Sequence, residues 1–297
     1  MRFALETGII WLMAGLFGNM PRNMNLTLGR CIGWVFYFLA FRRRKLALKN
    51  LEMAFEGEKD GRQLRKIAHR SFQFLVTNIA EFFQYPSLTW DSVSGYVSIE
   101  GEEYMKEALD EGKGVLILSG HFGSWDFLGA ILVLRGYDFA HISKVPRSEA
   151  VSRFWLRYRS DLGIKVFSGR GTIKQSLRHL GNNGVLGLIT DQNARRSEGV
   201  FVPFFGRQAC TLTSLALLAR RTGSPVLPIY SYRTGKDHHV VIEKPLSYDP
   251  LADRDEDLLE RTRIYTQWTE KVVRLHPEQW IWLHDRWKTR PKGELTR

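Results

Sequence analysis

Cysteine is nearly absent from this 297-residue chain, which contains only Cys31 and Cys210, far apart and without a Cys-x-x-Cys motif. Nothing therefore indicates a disulfide framework or a structural zinc site, and this usage fits a protein facing a reducing cytosol. The chain also lacks a His-x3-His pair, an RNA- or DNA-binding signature and a Gly-x-Ser-x-Gly nucleophile elbow. We therefore expect no metal and no nucleic-acid partner, and we do not favour acyl-enzyme hydrolase chemistry.

Basic and acidic residues are unevenly distributed along the chain. The net charge is +12, and basic residues outnumber acidic ones in residues 1–70 and 144–180, whereas acidic residues prevail in 71–143. Two basic blocks thus bracket an acidic one. Because no nucleic-acid motif accompanies them, anionic lipid head groups are the better candidate partner.

A long apolar run is missing as well. Fifteen uncharged residues, Thr7 to Pro21, cover only about 22 Å as a helix, against a hydrocarbon core of about 30 Å. Eleven more follow from Cys31 to Phe41, and the cluster Arg42-Arg43-Arg44-Lys45 comes directly after them. We expect residues 1–41 to be a membrane-anchoring helical segment, broken near Pro21, with the basic cluster on the cytoplasmic side. A cleaved signal peptide is the alternative, but the segment lacks an Ala-x-Ala site.

The remainder, residues 42–297, alternates short apolar runs with helical patterns and is predicted to be one catalytic domain. Predicted strands are 96–99, 115–118, 138–142, 164–167, 185–189, 226–230 and 239–242. Predicted helices are 45–55, 63–83, 102–111, 122–134, 149–162, 171–180, 212–222 and 257–275. This order predicts an α/β fold with a largely parallel sheet flanked by helices on both faces. Residues 191–211 form the one long irregular stretch, and such loops are often functional.

The most informative segment is residues 115–126, in which a buried strand ends at Ser119-Gly120 and a helix is expected from Phe122. His121 thus lies at the carboxyl end of a strand, where open α/β sheets bind their ligands. We expect the Asp126 carboxylate, one turn into the helix, to hold one imidazole nitrogen. The other nitrogen can then accept a proton from a substrate hydroxyl. The ordinary alternative is a histidine and an aspartate at a helix start with no chemical role.

Three further groups of residues fall near strand ends. Lys144 and Arg159 belong to a basic segment that is an anion-binding candidate, although charged helices are usually just solvated. Asp191 and Gln192 follow strand 185–189, where an N-cap or Asx-turn is the ordinary interpretation. Residues 202–207, Val-Pro-Phe-Phe-Gly-Arg, either plug the core or face acyl chains.

Taken together, these residues resemble the late acyltransferases of lipid A biosynthesis, the lauroyl- and myristoyltransferase family within the lysophospholipid acyltransferase superfamily. The resemblance covers nearly the whole chain, and its ordered motifs are specific. One departure is Asp126, where this family often carries Glu. The matching residues are Asn50-Leu51, Ala54-Phe55, Glu81, Ser119 to Asp126, Arg159 with Gly163, Asp191-Gln192, Val202 to Gly206, Thr211, Pro225 to Pro228 and Pro277 to His284.

The resemblance implies transfer of a fatty acyl group from a thioester carrier, acyl-ACP or acyl-CoA, to a hydroxyl of a glycolipid such as a lipid A precursor. On this interpretation His121 is the general base and Asp126 fixes its tautomer, while Arg159, Asp191, Gln192 and Lys144 bind substrate. The thioester is a co-substrate, so no cofactor is expected. Backbone amides after Gly120 would stabilise the oxyanion. The expected location is the inner membrane, with the catalytic domain facing the cytoplasm.

Two other functions stay open at this point. One is acylation of a glycerophospholipid, although those branches of the superfamily tend to carry Asn before the histidine, where Gly120 stands here. The other is a membrane-tethered lipid-binding protein without turnover. A binding protein has no need of a histidine–carboxylate pair at a strand end, so an intact pair favours an enzyme.

Overall fold

The computed structural model describes residues 2–293 and contains a seven-stranded sheet with helices on both faces. The strands are β1 (Val97–Glu100), β2 (Val115–Ser119), β3 (Phe139–Ile142), β4 (Lys165–Phe167), β5 (Val185–Ile189), β6 (Gly199–Phe204), β7 (Arg207–Leu212), β8 (Val226–Thr234) and β9 (Asp237–Ile242). Their order in the main sheet is β1-β9-β8-β2-β5-β3-β4, and all neighbours are parallel except β8 and β9. The predicted α/β fold with a mostly parallel sheet is therefore confirmed.

The helices predicted from the sequence occur in the predicted order with small shifts at their ends, and one short helix, Trp90–Val93, was not predicted. They are α1 (Arg2–Gly18), α2 (Arg22–Leu39), α3 (Phe41–Ala54), α4 (Gly61–Phe82), α5 (Trp90–Val93), α6 (Glu102–Asp110), α7 (Trp125–Leu134), α8 (Glu149–Asp161), α9 (Thr172–Gly181), α10 (Ser214–Thr222) and α11 (Arg254–Leu275). Short 3₁₀ turns lie at Tyr85–Ser87, Ser94–Tyr96 and Pro277–Gln279. The predicted domain limits at residues 1 and 297 lie outside the described residues.

Strand β2 is buried on both faces, which explains its uninterrupted apolar sequence. Leu116 and Leu118 pack into one hydrophobic cluster, and Val115 and Ile117 pack into another. Successive side chains of a strand point to opposite faces, so the two clusters are the cores on either side of the sheet. β2 pairs in parallel with β5, with Ser119 opposite Ile189. This register brings the residues that follow the two strands to the same edge of the sheet.

The helix after β2 begins later than predicted. Instead of starting at Phe122, α7 starts at Trp125, and residues 120–124 form an irregular turn. Gly123 has a φ of +58°, and a Cβ there would lie 1.6 Å from the carbonyl oxygen of Ser231. The turn therefore requires glycine at this position, both for its backbone angle and for the close approach of β8. As a result His121 and Asp126 do not lie on successive turns of one helix.

The stretch 191–211 is less irregular than predicted, because β6 and β7 form an antiparallel hairpin. Phe205 and Gly206 take its tight turn, both with positive φ. The side chains of Phe204 and Phe205 are buried in the core. The interpretation of residues 202–207 as a core plug is thus correct, and the alternative of an exposed acyl-facing loop is wrong.

The N-terminal helices pack against α4. α2 approaches it at Gly29 and Gly33, where an added Cβ would lie within 2.8 Å and 2.5 Å of the backbone of α4. The buried Asn25 donates to the carbonyl oxygens of Phe17 and Ala80, and this joins α1, α2 and α4. The predicted break near Pro21 is observed between α1 and α2.

No single helix among residues 2–293 combines the length and apolar character needed to cross a bilayer. The pair α2 and α3 meets those criteria only jointly, with a bend of 91° between them. Exposed apolar side chains are nevertheless concentrated at the N-terminus. Twelve of the eighteen large hydrophobic residues exposed in the described chain lie between Phe3 and Phe41.

Candidate active site

The centre of the site is a hydrogen-bonded pair formed by His121 and Asp191. The His121 Nδ1 atom lies 2.8 Å from Asp191 Oδ1, and the His121 backbone amide donates to Asp191 Oδ2 at 2.7 Å. His121 follows β2 and Asp191 follows β5, each two residues beyond the paired Ser119 and Ile189. The register of these neighbouring strands therefore creates the pair.

The two partners differ sharply in their exposure. The side chain of Asp191 is fully buried, whereas that of His121 is 22% exposed. Burial alone would raise the pKa of Asp191, but the charge and hydrogen bonds of His121 and a bond from Trp280 lower it below its usual value. The carboxylate thus remains ionised and can stabilise an imidazolium, while the imidazole is partly open to solvent.

Gln192 lies on the outer side of the imidazole. Its Nε2 atom is 3.3 Å from His121 Nε2. An amide nitrogen can only donate, so this contact requires a lone pair on His121 Nε2, while Nδ1 carries the proton toward Asp191. Such a tautomer leaves Nε2 as the proton acceptor of the site.

Asp126 does not hold the imidazole, contrary to the prediction. Its carboxylate accepts a hydrogen bond from the guanidinium of Arg159, which is only 4% exposed and lies 3.4 Å over the ring of Trp155. The physical reason is the late start of α7, which separates Asp126 from His121, whereas Asp191 reaches His121 across the sheet. Asp126 instead forms a partly buried ion pair in the wall beside the site.

Arg159 is likewise placed differently from our expectation. Its guanidinium is enclosed by Asp126, Trp155 and Phe82, so it is not directed toward an open phosphate site. Arg159 is also not a solvated residue of a charged helix, because its side chain is only 4% exposed. The acidic residues of its own helix pair elsewhere, Asp161 with Arg157 and Glu149 with Arg153.

Lys144 follows β3 at the same sheet edge but extends into solvent. Its side chain is 89% exposed, and its ammonium lies 4.0 Å from the Glu198 carboxylate. No contact joins Lys144 to His121 within residues 2–293. Of the four predicted substrate-binding residues, the structure therefore brings only Asp191 and Gln192 to His121.

Two of the backbone amides that follow Gly120 already donate hydrogen bonds within the protein. The His121 amide donates to Asp191, and the Gly123 amide donates to the carbonyl oxygen of Gln279 at 2.9 Å. Neither is available to an oxyanion. The expectation that these amides stabilise the tetrahedral intermediate is wrong for both positions.

An apolar cavity of about 310 Å³ opens beside this turn. Trp125 and Asp126 form one wall, and the Trp125 ring is 5.3 Å from that of His121. Because the cavity combines residues from α1, α4, α7 and α8, no local pattern in the sequence could reveal it. Its other lining residues are Ile10, Asn78, Ile79, Phe82, Phe83, Tyr85, Ser124, Val151, Phe154 and Trp155.

The C-terminal segment, residues 279–289, completes the site and was assigned no role from the sequence. The Trp280 indole donates to Asp191 Oδ2 at 2.7 Å, and the Ile281 amide donates to the carbonyl oxygen of His121. His284 Nε2 accepts from the Asn193 amide, and the buried Arg286 donates to the carbonyl oxygen of Gln192. The only signal in the sequence was the match of residues 277–284 to the family pattern.

An ionised carboxylate, an imidazole with an unprotonated Nε2 atom and a nearby apolar cavity together suit an enzyme that activates a hydroxyl beside a hydrocarbon chain. The class indicated by the site agrees with sequence comparison. The model of the bacterial lipid A biosynthesis acyltransferase family matches residues 2–289, and the chain belongs to this family. The protein is therefore an acyltransferase, and the alternative of a lipid-binding protein without turnover is set aside.

Several curated proteins are similar along most of their length. The lipid A biosynthesis lauroyltransferase of Escherichia coli (strain K12) is 26% identical, covering 99% of this chain and 93% of the relative. The palmitoleoyltransferase of the same organism is 25% identical, covering 97% and 91%. A phosphatidylinositol mannoside acyltransferase of Mycobacterium tuberculosis (strain CDC 1551 / Oshkosh) is 26% identical, covering 70% of this chain and 66% of the relative.

Among solved structures, the 1-acyl-sn-glycerophosphate acyltransferase of Thermotoga maritima aligns with a TM-score of 0.40 at 14% identity. The alignment covers 85% of this chain and 98% of that chain.

Proposed function

We propose that this protein transfers a fatty acyl group from a thioester donor, acyl-ACP or acyl-CoA, to a hydroxyl of a glycolipid, with His121 as general base. The observation that carries the proposal is the His121–Asp191 pair, whose imidazole lies against Trp125, a residue that lines the apolar cavity. The names of the relatives support the acceptor class, because lipid A and phosphatidylinositol mannosides are both sugar-bearing lipids.

In the proposed reaction His121 Nε2 takes the proton of the acceptor hydroxyl as its oxygen attacks the thioester carbon. The carbonyl becomes a tetrahedral oxyanion, and its collapse breaks the C–S bond. The imidazolium returns the proton to the departing thiolate, which yields an ester and a free thiol. Asp191 holds Nδ1 and stabilises the imidazolium throughout. The donor is already activated, so the step needs neither a cofactor nor an enzyme nucleophile.

The apolar cavity supports an acyl substrate. Its wall is built mostly from aromatic and aliphatic side chains, and Asn78, Ser124 and Asp126 are among the few polar residues that line it. A hydrocarbon chain bound there would be removed from water, and this transfer stabilises the bound state by about 0.8 kcal/mol per methylene. The partly buried Asp126–Arg159 pair stiffens the wall next to Trp125, and this is the role we assign to it.

The same proposal locates the protein at the cytoplasmic face of the inner membrane. Support comes from the exposed apolar residues of α1 and α2 and from the basic residues that follow them at the start of α3. Residues such as Phe38 and Leu39 would enter the acyl region, while Arg42 and Lys45 contact anionic head groups.

The central experiment is an assay of the purified protein in mixed micelles, with products identified by mass spectrometry. Acyl-ACP and acyl-CoA are each combined with a lipid A precursor, a phosphatidylinositol mannoside or a lysophosphatidate. We expect transfer to a sugar-bearing lipid and none with His121→Ala. Exclusive acylation of lysophosphatidate would instead favour the glycerophospholipid function, and full activity of His121→Ala would refute the mechanism.

Membrane association is tested by the paired change Phe38→Ser and Leu39→Ser, scored by sedimentation with membranes in high salt. High salt removes the contribution of the basic cluster and isolates the apolar contact. Leu259→Ser with Leu275→Ser is the matched control, because these side chains are also exposed but lie on α11. Equal sedimentation of both double variants would argue against an N-terminal membrane contact.

A further inference from the structure

The Asp191 carboxylate accepts three hydrogen bonds, one of which comes from outside the histidine. Oδ1 accepts from His121 Nδ1 at 2.8 Å, and Oδ2 accepts from the His121 amide and the Trp280 indole, each at 2.7 Å. The indole is therefore the only one of the three donors that a change outside His121 can remove.

Trp280 is itself held firmly. It is 3% exposed, and its ring packs against Phe204 at 5.7 Å and Trp282 at 4.6 Å. Its backbone forms a bridge with Phe122, and the next residue, Ile281, donates to the carbonyl oxygen of His121. One short segment thus fixes the main chain of the histidine and the side chain of its partner.

We propose that Trp280 is a positioning residue for the acyl transfer, whose indole N–H orients the Asp191 carboxylate and limits the negative charge that Asp191 presents to His121. The inference rests on the proposed function, in which His121 is the base. Trp280 touches neither His121 Nε2 nor the cavity, so its action passes through Asp191.

The consequence of losing the indole donor has a definite sign. Without the indole donor, hydrogen bonds neutralise less of the negative charge of the Asp191 carboxylate. The carboxylate therefore stabilises the imidazolium form of His121 more strongly. The base then keeps its proton up to a higher pH, so the acidic limb of the kcat/KM profile moves upward, by about 0.5 to 1 pH unit. The other charged or titratable groups facing the pair are His284 and Arg286, and the substitution leaves both in place.

The chain contains a matched control. Trp282 is also fully buried, and its indole donates to the carbonyl oxygen of Pro277 at 2.6 Å, away from Asp191. Trp280→Phe and Trp282→Phe thus remove the same atoms from the same core. Both should lower the melting temperature, but only Trp280→Phe should shift the acidic limb.

The experiment measures kcat/KM against pH for the full-length wild type and the two variants in the same micelles. If Trp280→Phe does not fold, 3-benzothienylalanine at position 280 keeps the ring shape and removes only the N–H donor. A shift with that replacement and none with Trp282→Phe supports the proposal. An unmoved limb, or an equal shift in both proteins, overturns it.

The outcome is separable from that of the proposed function. An inactive His121→Ala together with an unshifted Trp280→Phe rejects the role of Trp280 alone. An active His121→Ala rejects the base, and the inference about Trp280 falls with it.

Discussion

Asp191 and Glu81 are both buried carboxylates that accept a hydrogen bond from a histidine, and both clusters contact the turn that carries His121. Around Asp191 the histidine is partly open to solvent, and the other side-chain donor is a neutral indole. Around Glu81 the histidine is His238, fully buried, and two arginines, Arg22 and Arg233, complete the cluster.

The Glu81 cluster supports the turn rather than the chemistry. Asn78 donates to the carbonyl oxygen of Gly123 and accepts from Ser124 Oγ, and Arg233 donates to Asn78, Ser124 and Glu81. His238 lies 4.2 Å from the ring of Phe127 and has no path to a substrate. Under the proposed function, the same two functional groups therefore give a base in one place and a structural brace in the other. Access to solvent makes the difference.

The strongest test of this comparison exchanges each histidine for glutamine. His121→Gln should lower kcat/KM by about 10² to 10⁴, because the proton acceptor is lost while the fold is retained. His238→Gln should instead lower the melting temperature and leave kcat/KM of the folded fraction within a few-fold. The comparison fails if the two variants lose transfer activity equally at matched folded protein, as judged by circular dichroism.

Glu81→Gln should have the largest effect on stability. It leaves Arg233 and Arg22 without their buried counter-charge, and breaking such a pair costs about 3–5 kcal/mol. Denaturant unfolding in detergent measures the loss. Glu278→Gln, a change at a carboxylate outside this cluster, serves as the control.

The stability lost in Glu81→Gln should also depend on pH. Burial opposes ionisation of Glu81, but His238 and Arg233 lower its pKa from 4.5 to about 2. A carboxyl group with a depressed folded pKa stabilises the protein above its unfolded pKa, and this contribution is lost as the pH falls through the folded value. The stability difference between wild type and Glu81→Gln should therefore be constant above about pH 5 and shrink between 4.5 and 2. A difference that does not change over this range would contradict the ionised cluster.

Asp191→Asn and Asp126→Asn distinguish the two carboxylates near His121. Asp191→Asn should lower kcat/KM by about a hundredfold or more, since the imidazolium loses its counter-charge and the tautomer is no longer enforced. Asp126→Asn should cost less, because it disturbs only the cavity wall. The reverse order would restore Asp126 as the partner of the histidine during turnover.

The smallest expected effect concerns Arg159 and Asp126. A double-mutant cycle with Arg159→Gln and Asp126→Asn should show a coupling of about 1–2 kcal/mol, because both changes break one partly buried pair. Arg157→Gln, at an exposed pair on the same helix, should not couple to Asp126. Additive losses, with a raised KM for the phosphate-bearing substrate, would instead favour the substrate-binding role that the family resemblance implies for Arg159.

The sequence by itself determined the strands of the main sheet, most of the helices and the position of the histidine after β2. The apolar runs of β2 and β5 are long enough to be strands and too short to be helices, and Pro21 interrupts the N-terminal helix. Residue order alone places His121 just after a buried strand. The local pattern did not reveal the β6–β7 hairpin, because two phenylalanines followed by a glycine are as compatible with a loop as with the turn of a hairpin.

Only the tertiary structure determined which carboxylate pairs with His121. Spacing along the chain favoured Asp126, five residues away, on the assumption of an unbroken helix from Phe122. The turn at Gly123 delays that helix, and the parallel pairing of Ser119 with Ile189 places Asp191 directly across from His121. Which strands become neighbours depends on how all the helices cover the sheet. The pairing of residues 70 positions apart is therefore a property of the packed sheet and of no local segment.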